Sequence, residues 1–136
     1  MTSLPAQLLA GVKWFEAGLL ARLEAEGWSI RAPHSHLFAH LDLDTGTRPS
    51  ELARRMGVTR QAVHQTVGEL RELGLVELED AGGGTKRVVL TDRGRENVAA
   101  ARAAFADLER ELARRIGAKH VTALREALGR DWGPPV

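Results

Sequence analysis

RPSELARRMGVTRQAVHQTVGELRELGLVELEDAGGGTKRVVLT, residues 48–91, holds two helical periods, a glycine stop after each, and two alternating runs around a glycine tip. Pro49 suits the first position of a helix, where a missing N–H costs no intrahelical bond. Leu52, Ala53 and Met56 give that short helix one apolar face, and Gly57 ends it. Thr59 is a good N-cap for the next helix. Ala62, Val63, Thr66, Val67, Leu70 and Leu73 follow at helical spacing, with Gly74 at a C′ position. The remaining face carries Arg60, Gln61, His64 and Gln65, long donors on the first two turns. A second helix with donors at its N-terminus, braced by a short helix before it, has the shape that enters a DNA major groove. Leu75–Glu79 and Arg87–Leu90 alternate as strands around Gly82-Gly83-Gly84. The fold class this predicts is mainly α with one small β-hairpin wing (α+β): a winged helix-turn-helix.

Outward from this unit the chain is helical. Residues 4–26 form a first helix with Leu8, Val12, Phe15, Leu19 and Leu23 as a stripe, widened by Leu9, Trp14 and Leu20. Pro33 opens a second helix to about Asp42, and Thr47-Arg48 can extend as a short third strand against the hairpin. Thr91 caps a long helix whose Val98, Ala101, Phe105, Leu108 and Leu112 recur in a 3-4-3-4 rhythm, ending at Gly117. Lys119–Leu128 is a last short helix. The expected organisation is a single domain over 1–136, with the winged helix-turn-helix at about 45–91. Residues 4–44 and 92–129 then supply dimerisation helices.

The residues SELARRMGVTRQAVHQTVGELRELGLVE and the closing LTDRGRE resemble those of the MarR (multiple-antibiotic-resistance regulator) family. The likeness lies in S-x-LA, in a recognition helix ending L-x-x-L-G-L-V, and in L-T-x-x-G after the wing. In length and helix order it extends over nearly the whole chain. It implies a dimeric DNA-binding transcription regulator, often tuned by a small-molecule effector or by oxidation. It also implies that the first and last two helices intertwine across a twofold axis. The chain departs from the family in the wing. Relatives commonly carry an Asp-x-Arg pair in a wing about two residues longer, and here those positions fall in the glycine run. Glu77, Glu79 and Asp80 also stand where basic residues are common, so the wing's net basic character is small.

Composition narrows the rest. At 136 residues, with 4% aromatics and 43% hydrophobics, the core leans on Ala, Leu and Val, and association would bury more apolar surface. No apolar run approaches membrane-spanning length and no export signal precedes one, so cytoplasm is the expected location. The absence of cysteine removes disulfides, thiolate metal sites and cysteine-based redox switching. The net charge of +1 does not announce nucleic acid. Residues 48–76 hold Arg48, Arg54, Arg55, Arg60 and Arg71 against Glu51, Glu69 and Glu72, which is +2. Arginine outnumbers lysine, which suits bidentate phosphate and guanine contact, although a G·C-rich genome yields the same bias.

For DNA the expected contacts are Arg60, Gln61, His64 and Gln65 at base edges and nearby phosphates. Thr59 and Ser50 are expected at phosphates, and Arg54, Arg55, Lys86 and Arg87 at the backbone. Trp14, Trp28, His34 and Phe38 are candidates to line a ligand pocket where the first two helices meet the dimer. His36 and His40, at i and i+4, are the weak metal candidates. His34 lies about 160° around the helix from His36, on the Leu37/Leu41 side, and cannot join them on one ion. No cofactor fingerprint, P-loop spacing or catalytic constellation is present, so an enzyme is not expected. Two alternatives stay open: a protein-interaction winged helix without DNA binding, or a metal-responsive regulator using His36 and His40.

Overall fold

The computed structural model describes residues 1–136 as six helices and one antiparallel hairpin: α1 (Leu4–Ala25), α2 (Ala32–His40), α3 (Pro49–Met56), α4 (Arg60–Glu72), β1 (Val76–Gly82), β2 (Thr85–Leu90), α5 (Asp92–Ile116) and α6 (Ala118–Gly129). No helix is long and apolar enough to cross a membrane. Side-chain caps set three helix starts. Ser3, Thr59 and Thr91 accept from the N–H groups of Ala6, Ala62 and Gly94, each meeting a donor that helix geometry leaves unpaired.

Two apolar clusters hold the chain together. The larger joins Leu37 and Leu41 of α2, Leu52 and Ala53 of α3, Val63, Val67 and Leu70 of α4, and Leu75, Val76, Val88 and Leu90 at the wing. Thus α2, expected among the dimerisation helices, packs its apolar side into the winged helix-turn-helix. The smaller cluster joins Leu19 and Leu23 of α1 to Ala104 and Leu108 of α5. Trp28 and Ile30, in the α1–α2 connection, pack against both.

The wing is longer than its alternation predicts. β1 continues through Asp80-Ala81-Gly82, with an irregularity between Asp80 and Gly82 that restores pairing of Gly82 with Thr85. Gly83 and Gly84 form the two-residue turn, both with positive φ (59° and 75°), as a tight hairpin of right-twisted strands requires. Thr47 bridges to Val88 as the short third strand. At the base of the wing, Thr91 donates its hydroxyl to the Gly74 carbonyl and its N–H to that of Leu75.

The long helix differs from expectation in its packing seam. Its buried residues are Gly94, Asn97, Ala104 and Leu108, whereas Phe105 is 38% exposed and Val98 only half-buried. Small residues rather than the bulkiest ones set this face, because close approach is what the neighbours demand. A Cβ on Gly94 would lie 2.0 Å from the Leu75 carbonyl oxygen, and one on Gly18 would meet the Leu108 side chain. The N-terminal half of the α1 stripe also lacks cover within one chain: Leu4, Leu9 and Val12 are exposed, as are Ile116, Leu124, Leu128 and Trp132 near the other end.

Gly94→Ala should therefore push α5 off the wing base and destabilise the protein by about 1–3 kcal/mol. Gly68→Ala, where a Cβ meets nothing within 4 Å, should stabilise it by about 0.5–1 kcal/mol through helix propensity. Urea denaturation of the two variants checks both signs.

Candidate nucleic-acid interface

Burial sorts the α4 side chains into two faces. Val63, Val67 and Leu70 are at most 2% exposed, and Thr66, also buried, donates its hydroxyl to the Ala62 carbonyl one turn back. The other face presents Arg60, Gln61, His64 and Gln65 to solvent, and none of the four has a hydrogen-bond or ion-pair partner within the chain. Ala62 and Leu73, expected on the apolar face, are exposed at its edges. Gly57, in the left-handed conformation (φ 67°, ψ 33°), turns α3 into α4, and Leu52 and Ala53 of α3 pack beneath.

The free donors on α4 contrast with the arginines around them. Arg54 is held by both oxygens of Glu51. Arg55 donates to Glu51, to the His40 carbonyl (2.9 Å) and to Asp42 (3.3 Å). Arg54 was expected to be available for backbone phosphates; its charge is instead compensated on the same helix. The hydrogen bond from Arg54, reinforced by Arg55, holds the Glu51 carboxyl at about 2, well below its ordinary 4.5. Ser50 is exposed in the first turn of α3. Thr59 has its hydroxyl oxygen on the Ala62 N–H, 3.0 Å away.

In the wing, Lys86 is paired with Asp80, whose carboxyl it holds below the usual range. Arg87 stands opposite Glu79 in the register, half-buried and without an ion pair. The exposed Arg48, at the N-cap of α3, is likewise unpaired. Sequence reading counted its charge but gave it no role; its place immediately before Pro49-Ser50 was the available signal.

The four residues expected to line one pocket do not meet. Trp28 and His34 border an open cleft of about 760 Å³ together with Leu20, Glu24 and Glu69. Phe38 lines a separate, mostly apolar cavity of about 180 Å³ between α1, α2 and α5. Trp14 borders neither; it packs edge-on against Phe15 with Arg115 over its ring. Nor is His34 a free ligand. It is 2% exposed, and both ring nitrogens are engaged. The Arg31 N–H donates to Nδ1 (3.1 Å), which leaves Nε2 to donate to Glu69 Oε1 (2.9 Å). His36 and His40 are engaged separately: His36 Nε2 lies 2.8 Å from Glu16 Oε1, and His40 Nδ1 donates to the His36 carbonyl. No group of three or more His, Asp or Glu side chains forms a metal-sized cluster.

One feature of the smaller cavity escaped sequence reading. Asn97 lines it, is 1% exposed, and its Nδ2 has no partner. Arg102, exposed and without an ion pair, lines the same cavity.

Comparison with known proteins places this architecture. The MarR family model matches residues 28–87. Among solved structures, apo MarR from E. coli superposes with a TM-score of 0.77 at 20% identity, covering 94% of this chain and 96% of that one. MepR, a transcription regulator of the Staphylococcus aureus multidrug efflux pump MepA, gives 0.72 at 16%, covering 93% and 94%. A Mycobacterium tuberculosis MarR family protein in complex with salicylic acid gives 0.70 at 23%, covering 94% and 95%. No curated protein matches the chain by sequence. Over residues 28–87 this chain is similar to the MarR family, and the fold of the whole chain is that of solved MarR-family structures.

The Glu51 pair carries a pH signature. A carboxyl with a depressed folded pKa stabilises fully above its unfolded value and loses that contribution as pH falls through the folded one. The contribution of Glu51 is therefore complete above about 4.5 and fades as pH drops from there to about 2. Glu51→Gln flattens the dependence of Tm on pH within that window; an acid profile identical to the wild type would assign no stabilisation to the α3 pair.

Proposed function

We propose that the chain is a sequence-specific DNA-binding transcription regulator that works as a homodimer on a palindromic operator. The observation that carries this reading is the unpartnered donor face of α4, set on a helix whose opposite face is fully buried. Each subunit inserts α4 into the major groove, with half-sites about one helical turn apart, on the order of 34–36 Å. Arg60 takes guanine O6 and N7 bidentately, Gln61 or Gln65 takes adenine, and His64 reaches a base edge or nearby phosphate. Thr59, Ser50 and neighbouring backbone N–H groups meet phosphates, as do Lys86, Arg87 and an Arg54 that exchanges Glu51 for a phosphate oxygen. The exposed apolar residues of α1, α5 and α6 supply the surface for the second subunit.

A binding assay on an operator selected from random duplex DNA tests this. Arg60→Ala costs about 1–3 kcal/mol on the preferred operator and relaxes preference at one position, whereas Arg87→Ala weakens all sequences alike and reduces the salt slope by about 1. Equal affinity of Arg60→Ala and wild type for the operator would remove the base-reading assignment. Salt-insensitive association would favour the interaction module instead.

The α1–α2–α5 cavity supports an effector role. Its apolar lining suits an apolar body, while the unpartnered Asn97 Nδ2 and the unpaired Arg102 suit an acceptor such as a carboxylate. The relative crystallised with salicylic acid makes that compound the natural probe. Salicylate titration raises the wild-type Tm. Asn97→Leu, which removes the unpaired donor and fills the space, raises the ligand-free stability by about 1 kcal/mol or more and abolishes the salicylate response. A variant that responds as the wild type does would place the effector elsewhere.

A further inference from the structure

Two of the three histidines on α2 make contacts that neither the buried core nor the DNA-reading face uses. His34 and His36 are two residues apart and therefore project to nearly opposite sides of the helix. On one side, buried His34 donates from Nε2 to Glu69 of α4. Arg31, at the N-cap of α2, adds a second hand to the same carboxylate (2.8 Å). On the other side, His36 Nε2 sits 2.8 Å from Glu16 Oε1 of α1, a short polar contact outside hydrogen-bond geometry, and that buried oxygen has no hydrogen-bond partner. The chain of contacts therefore runs Glu16, His36, α2, His34, Glu69, from the first helix to the recognition helix.

Trp28 and Ile30 also join the two halves of the molecule, through apolar packing in the α1–α2 connection. The hydrogen bonds that His34 and Arg31 make to Glu69 are directional as well. At the far end of the reading unit, Thr91 and Gly94 fix the wing base against α5. On the α4 side, the polar ties to α2 are those of His34 and Arg31 to Glu69. The Glu69 carboxyl is held below its ordinary range by the His34 hydrogen bond and by Arg31, so it is ionised and available for both at neutral pH.

We propose that α2 is a strut through which α1 sets the pose of α4, with Glu69, His34 and His36 as positioning residues of the DNA interface. The proposal rests on the DNA-binding reading above. In a twofold dimer, the pose of α4 on α1 fixes the distance between the two recognition helices. That distance is read out as the preferred half-site spacing. None of the three residues need touch DNA for this.

The test uses the full-length protein and duplexes carrying the selected half-sites at the best spacing and at spacings shifted by about one to three base pairs. Wild type discriminates among them. Glu69→Ala and His36→Ala each reduce that discrimination by about tenfold, while Glu69→Gln, whose amide oxygen still accepts from His34, retains it. Because the two contacts act in series, the double variant Glu69→Ala/His36→Ala is no flatter than either single one. His36 is largely exposed, so His36→Ala carries the test even where Glu69→Ala fails to melt cooperatively. Unchanged spacing preference in His36→Ala, or penalties that add in the double variant, would overturn the strut alone. A wild type that binds no duplex at all would overturn the DNA reading and the strut with it.

Discussion

The burial of Val63, Val67 and Leu70 against α2, α3 and the wing is the constraint from which the rest follows. Fully burying a side chain of this kind is worth about 1.5–3 kcal/mol relative to leaving it exposed, so the rotation of α4 about its own axis is strongly set. With the apolar stripe inward, Gln61, His64 and Gln65 lie about 100–160° around the helix from Val63 and must face out. Arg60, about 20° from Val67 on the same wheel, is exposed at the first position of α4. The donor face is thus a consequence of the core rather than a separate feature.

Charge is distributed to match. Around α4 the ionic side chains are mostly satisfied within the chain: Arg54 and Arg55 on Glu51, Lys86 on Asp80, Arg31 on Glu69. Exposed pairs of this kind contribute little stability individually. Their effect is to leave a small set of cations, Arg48, Arg60 and Arg87 among them, without internal partners. A near-neutral protein can in this way present a locally positive helix end, which reconciles a net charge of +1 with the proposed affinity for a polyanion.

The helix-turn-helix was legible in the sequence because each of its boundaries has a local chemical cause. Thr59 caps, Gly57 and Gly74 adopt positive φ, and the apolar spacing is helical. Where structure departs from the reading, the cause is non-local. The α5 seam follows Gly94, Asn97, Ala104 and Leu108 because α1 and the wing approach too closely for larger side chains, and apolar rhythm alone favours Val98 and Phe105. The wing runs to Gly82 because an irregularity lets weak strand formers pair. Trp14, Trp28, His34 and Phe38 looked like one pocket because their helices are neighbours, yet their side chains diverge. His34 with Glu69 joins residues 35 apart in sequence, and no pattern in the chain announces such a pair. The unpaired Asn97 donor was equally invisible, since an asparagine within a helical run reads as solvent-facing.

The central claim is that α4 reads base edges in the major groove, and guanine N7 methylation interference tests it most directly, because N7 lies in that groove and accepts from arginine. The account predicts that methylating one guanine in each half-site of the selected operator blocks wild-type binding, and that the same methylation makes no further difference to Arg60→Ala. Wild-type binding indifferent to N7 methylation throughout both half-sites would contradict it.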